Sequence, residues 1–149
     1  MSHRTIAFEG AVGNRLVGDL YEAARPGGRV ALLLHGGGQT RHAWRDTGRR
    51  LSEAGYQAVA FDCLGHGDSD WTEDGDYGMD AQVRGLSALL SVPALAGRRP
   101  VLVGASLSAE IFLLGVGEGQ IDASALVLVD YAPQTQEEGY LRNKAFMEA

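Results

Sequence analysis

A chain of 149 residues is long enough for one domain with its own core, and a net charge of −6 excludes a non-specific nucleic-acid binder, because no basic field draws in phosphates. A single cysteine, Cys63, excludes an internal disulfide and suits a reducing compartment. No apolar run approaches the ~20 residues of a membrane span, and Met-Ser-His-Arg-Thr opens no apolar leader, so a cytoplasmic domain without membrane partners is expected.

Arg4 to Glu9 alternates, with Ile6 and Phe8 on one face, and a turn at Gly13-Asn14 leads into a second alternating run from Leu16 to Tyr21. The pattern predicts an N-terminal β-hairpin, which Pro26-Gly27-Gly28 ends. Val30 to Leu34 is continuously apolar, as in a strand buried on both faces of a parallel sheet. His35-Gly36-Gly37-Gly38-Gln39-Thr40 is a loop, followed by a predicted helix over Arg41 to Ala54. Ala43, Trp44, Thr47, Leu51 and Ala54 fall on its inner face, with Arg41, Arg45, Arg49 and Glu53 outward, and Gly55 stops it. A strand at Ala58 to Phe61 and a turn-rich loop from Asp62 to Asp70 come next. Asp80 can cap a helix carrying Val83, Leu86, Leu89 and Leu90 at helical spacing, which Pro93 ends. Val101 to Val103 is a short strand, Leu107 opens an apolar helix, Leu126 to Val129 is a further buried strand, and a helix begins after Pro133. Strands alternating with helices predict one α/β domain spanning 1–149: a mostly parallel sheet with helices on both faces. In such sheets the chemistry collects at the carboxyl ends of strands, where His35-Gly36, Asp62, Ser106 and Asp130 all fall.

The richest stretch is Pro100 to Ala109, Pro-Val-Leu-Val-Gly-Ala-Ser-Leu-Ser-Ala. A strand, a sharp turn at Ser106 and a helix are the setting in which a G-x-S-x-G element exposes a nucleophilic serine. Gly104 fits that pattern, and Ser108 stands where glycine is expected. The bland alternative is a tight turn in which Ser106 only caps the helix. Acyl transfer also needs two backbone N–H groups aimed at a developing oxyanion; those of Leu107 and Gly37 are the candidates, with Gly38 beside them in the pocket. A phosphate-loop reading of the glycines fails, since neither G-x-G-x-x-G nor Gly-Lys-Ser/Thr is present. His35 reads as a structural hydrogen-bonder. Gly65-His66-Gly67-Asp68-Ser69-Asp70 invites a metal, but ligands so close on a tight loop rarely converge, so a turn bordering the pocket is expected, with no metal or other cofactor. Trp44 and Trp71 are candidates to line a pocket, although Trp44 at helical spacing also suits the core.

Leu32 to Gln39 with Trp44, Gly55-Tyr56, Phe61-Asp62 with Gly65 to Ser69, the Ser106 elbow and Leu126 to Pro133 together resemble the α/β-hydrolase superfamily over nearly the whole chain. The likeness is greatest to its esterase, epoxide-hydrolase and cofactor-free haloperoxidase-like branch. It implies a three-layer α/β-hydrolase-type sheet, Ser106 as nucleophile, and Gly37 and Leu107 as oxyanion donors for a small ester-like substrate. Serine rather than aspartate at the elbow argues against an epoxide-hydrolase mechanism. In that family an acid and then a histidine follow the serine. Here Asp130 is the candidate acid, and His3, His35, His42 and His66 all precede Ser106. The chain therefore reads as the N-terminal part of a serine hydrolase core, ending before the cap and last strands. Its bare sheet edge predicts a homo-oligomer or a complementing second chain. The alternative is a non-catalytic, self-associating fragment in which Ser106 is a relic.

Overall fold

The computed structural model of the protein describes residues 3–10, 13–25, 28–133 and 137–148. Alternation in the first segment produces the expected hairpin: β1 (His3–Glu9) pairs antiparallel with β2 (Arg15–Tyr21), placing Phe8 opposite Leu16 and Ile6 opposite Gly18. The Gly10 N–H closes the connection on the Asn14 carbonyl at 2.7 Å. Of the breaker after the hairpin, Pro26 and Gly27 lie outside the described residues, and Gly28 adopts φ 73°.

The apolar runs then lie side by side. β2 pairs antiparallel with β4 (Tyr56–Phe61), and β4, β3 (Arg29–Leu34), β5 (Val101–Ala105) and β6 (Ala125–Val129) are mutually parallel. The six-stranded order is β1-β2-β4-β3-β5-β6. Because β3 and β4 sit centrally, both their faces must be apolar, which is why their sequences run rather than alternate. Ala31, Leu33, Ala58, Ala60 and Val103 face a layer containing α1 (Arg45–Glu53). Leu32, Leu34, Val59, Phe61 and Leu102 face α2 (Met79–Leu90) and α3 (Leu107–Gly117), through Val83, Leu86, Leu89, Ile111 and Phe112. Each such Leu or Phe contributes roughly 1.5–3 kcal/mol on burial, so these two layers hold the sheet.

Four expectations need correction. The predicted helix over Arg41 to Ala54 begins as a 3-10 turn, Arg41–Trp44, and Arg41 points inward and is buried. On α1 the buried positions are Gly48 and Ser52, not the larger apolar residues, and Ala43 is exposed. The cause is Tyr21, whose ring lies so close that a Cβ on Gly48 would meet its Cε2 at 2.6 Å. Helix α2 starts from Gly78 in extended conformation, leaving Asp80 in the first turn rather than at the cap. Finally, β6 is not buried on both faces: it is the outermost strand, with Val127 44% and Val129 40% exposed. The last helix, α4, spans Glu137–Glu148; positions 134–136 and 149 of its predicted range lie outside the described residues. No helix among the described residues is long and apolar enough to cross a membrane.

Candidate active site

Strand β5 ends at Ala105 and α3 begins at Leu107, so Ser106 makes the reversal by itself. It is exposed and held at φ 49°, ψ −110°. That region costs a non-glycine residue ~1–3 kcal/mol, and it persists only where the surroundings over-determine it. They do so here. A Cβ on Gly104 would lie 2.7 Å from Phe112 Cδ2 and 2.8 Å from the Ala109 nitrogen, so helix and strand close on each other only because that residue is glycine. Ser108 takes the expected second glycine position, buried: its hydroxyl donates to the His35 carbonyl and lies 3.5 Å from Cys63 Sγ. The Leu107 N–H belongs to the first turn of α3, where helix donors have no intrahelical acceptor.

The glycine loop after β3 comes up against this elbow. A Cβ on Gly36 would sit 3.5 Å from Ser106 Cβ and 3.2 Å from Gln39 Oε1. Each peptide of the loop is tied down separately. His35 is buried; its Nδ1–H donates to the Gly36 carbonyl at 2.8 Å and its Nε2 accepts the Cys63 N–H at 3.0 Å. The Gly36 N–H donates to Gln39 Oε1 at 3.1 Å, and the Gly38 N–H to His66 Nε2 at 3.2 Å. Between them, the Gly37 N–H has no acceptor among the described residues. A Cβ on Gly37 would meet nothing within 4 Å, so that peptide borders open space.

Beneath the loop lies a buried ion cluster that the sequence reading missed. Arg41 places Nη1 against Asp62 Oδ2 and, at 2.8 Å, against Asp68 Oδ2, while its Nε is 3.2 Å from Asp19 Oδ1. The Arg41 backbone N–H also donates to Asp62 Oδ1, at 2.6 Å. Burial works against the charged guanidinium, but its bonds to Asp68, Asp62 and Asp19 prevail and hold its pKa raised. The cluster fastens β2, the end of β4 and the chain leaving the glycine loop to one another. Asp19 was the available signal: a carboxylate inside a run of buried strand residues requires a cationic partner.

The other candidate residues fall as follows. Asp130 directly follows β6, at φ 52°, and the preceding Val129 carbonyl accepts the Ser106 N–H at 2.9 Å, so backbone contacts bring it beside the elbow. Trp44 packs against the α1-side core with Tyr21 and Val103, and Trp71 is 74% exposed, edge-on to Tyr77. The Gly65 to Asp70 loop does not converge on one point. His66 turns to Gly38, Asp68 to Arg41, and the Asp70 carboxylate accepts the Arg15 N–H at 2.6 Å. Burial lowers the pKa of His35, which suits a neutral ring with both nitrogens engaged. His42 contacts Thr40, and His3 lies near Asp19 and Tyr21. Burial pushes the Cys63 thiol up to about 11, so it is protonated at neutral pH and no nucleophile. A cavity of about 80 Å³ lies under Thr72 and Asp76, between α2 and the ends of β2 to β4, but Ser106 does not line it.

A mostly parallel sheet with a hairpin at one edge, a serine in a strained strand-to-helix turn, and a glycine loop with one unpaired N–H beside it together define a hydrolase fold. Residues 31–147 match the profile of the Alpha/beta hydrolase family, and the chain belongs to that family. It is 35% identical over 113 residues to the esterase Rv0045c of Mycobacterium tuberculosis, covering 74% of this chain and 36% of that one. An alpha/beta hydrolase from Novosphingobium aromaticivorans superposes with a TM-score of 0.83 at 26% identity, over 97% of this chain and 50% of that one. An epoxide hydrolase mutant of Vigna radiata superposes at 0.73 with 26% identity, over 96% and 44%. The chain thus spans about half, or less, of the length of these proteins.

Proposed function

We propose that this chain carries the nucleophile-bearing part of a serine hydrolase that acts on small ester-like acyl substrates. The observation that carries the reading is Ser106 itself: an exposed hydroxyl residue in a left-handed backbone conformation at a helix start, facing a loop whose Gly37 N–H is unpaired. In this reading Ser106 Oγ attacks the acyl carbon, and the N–H groups of Gly37 and Leu107 receive the oxyanion. Asp130 serves as the acid of the triad. His35 and His66 have both ring nitrogens occupied, His42 contacts Thr40, His3 on β1 lies by Asp19 and Tyr21, and nothing after Ser106 is histidine. In this reading the base is the histidine that follows the acid in the family's order, contributed by a complementing chain or segment.

The test is labelling with a fluorophosphonate in the presence of the complementing part. Ser106 is expected to be the labelled residue, and Ser106→Ala to abolish labelling. Labelling that survives the substitution puts the nucleophile elsewhere. The isolated chain is expected to hydrolyse an activated ester barely above background, since a serine without a positioned base is a poor nucleophile at neutral pH. Robust turnover by the pure chain points to a base among the upstream histidines. The second reading, a non-catalytic self-associating module, is favoured by one observation: β6 is half-exposed and has no strand on its outer edge among the described residues.

A further inference from the structure

The glycine loop presents three N–H groups at Gly36, Gly37 and Gly38, yet only the middle one is unpaired, and an imidazole from a different loop is what removes the third. His66 Nδ1 lies 3.1 Å from the Leu64 carbonyl oxygen. A carbonyl oxygen can only accept, so Nδ1 carries the ring proton. Nε2 then holds a lone pair, and it is this atom that meets the Gly38 N–H at 3.2 Å. The tautomer is thus set by one backbone group and used by another. His35 sits under the same loop with its ring centroid 5.0 Å from that of His66, so two imidazoles bracket the peptide of Gly37, one bonded to the Gly36 carbonyl and one to the Gly38 N–H.

We propose that His66 is a positioning residue for the oxyanion loop. By accepting the Gly38 N–H through Nε2 it fixes that peptide plane and leaves Gly37 as the loop's single outward donor. Gly38 adopts φ 73° and a Cβ there would meet nothing within 4 Å, so packing alone does not hold the peptide in place. Hydrogen bonds are the restraints available: the Gln39 N–H closes the turn on the Gly36 carbonyl at 3.2 Å, and His66 is the one side chain among the described residues that holds the Gly38 N–H inside that turn. The catalytic consequence rests on the acyl-transfer reading above, but the restraint itself does not.

The chemistry separates the variants cleanly. Glutamine can place Oε1 close to where Nε2 stands and accept the Gly38 N–H. Asparagine is too short to do so, and alanine has no acceptor. Nuclear magnetic resonance on the isolated chain is expected to show the Nδ1–H tautomer of His66 and a through-bond nitrogen–nitrogen coupling from the Gly38 amide to Nε2. Exchange of the Gly38 amide with solvent is expected to accelerate about 5- to 10-fold in His66→Ala and His66→Asn, the range for loss of one hydrogen bond, and to return toward wild type in His66→Gln. In the complemented enzyme the same series is expected to lower kcat with KM unchanged in the alanine and asparagine variants, with rescue by glutamine. Absence of the coupling, or an exchange rate indifferent to all three substitutions, overturns the proposal; the coupling is read on the unsubstituted protein, so a variant that fails to fold does not shield it. Should the coupling and exchange pattern hold while no fluorophosphonate labels Ser106, the positioning role stands and the hydrolase reading falls.

Discussion

A methyl group added at Gly104 would lie 2.7 Å from Phe112 Cδ2 and 2.8 Å from two backbone atoms of the elbow, whereas one added at Gly85, in the interior of α2, would meet nothing within 4 Å. The same substitution therefore has opposite signs at the two sites. Gly104→Ala forces helix α3 away from β5 and is expected to destabilise the protein by about 1–3 kcal/mol. Gly85→Ala removes only the backbone freedom of the unfolded chain and is expected to stabilise by about 0.5–1 kcal/mol. Urea titration of the two variants checks both; a stable Gly104→Ala would mean that the turn does not need the close approach. At this scale the sharp turn at Ser106, its close approach at Gly104 and the glycine loop after β3 were legible because each is a backbone pattern, local in the sequence. The groups that tether the site were not. Ser108 reaches the His35 carbonyl across 73 positions and His66 reaches Gly38 across 28, and no local pattern encodes such pairings.

The start of the first helix shows why an amphipathic pattern can misplace a residue. Four positively charged or acidic positions at helical spacing read as an outer face, yet the first turn winds as 3-10, and that tighter turn swings Arg41 onto Asp19, Asp62 and Asp68. The central strands β3, β4 and β5, by contrast, were read correctly from their apolar runs, because such strands have no solvent face to encode, whereas the same kind of run misled at β6, which lies at the edge. Arg41 is the only cation bonded to Asp62 among the described residues, and Asp62 is fully buried. Arg41→Ala then leaves buried carboxylates uncompensated and is expected to cost about 3–5 kcal/mol, measured by chemical denaturation. Arg41→Lys is expected to recover only part of that loss, since an ammonium cannot span three carboxylates as the guanidinium fork does. A loss within 0.5 kcal/mol for the alanine variant would show that the cluster is hydrated and slack.

For the molecule as a whole, the sheet is asymmetric. The β1 edge is a hairpin with mostly exposed, polar-rich positions, whereas β6 offers Val127 and Val129, and α4 beyond it exposes Leu141 at 54% and Phe146 at 84%. An unpaired strand presents a row of N–H and C=O groups to any chain that can extend the sheet. The isolated protein is therefore expected to associate, β6 against β6 of a second copy about a two-fold axis. Light scattering over a dilution series reads the mass, and Val129→Lys is expected to shift it toward a single chain. A mass of one chain at all concentrations, with a cooperative thermal transition, would show that the edge is content in water.

The two left-handed non-glycine residues, Ser106 at φ 49° and Asp130 at φ 52°, stand at the ends of neighbouring strands, and the Ser106 N–H closes on the Val129 carbonyl. The elbow is thus a bent spring whose catch belongs to the outermost strand. Fraying of β6 would remove that one bond and leave the packing of α3 on Gly104 as the remaining hold on the serine. Assembly at that edge would then steady a serine that is already bent, as well as complete the sheet.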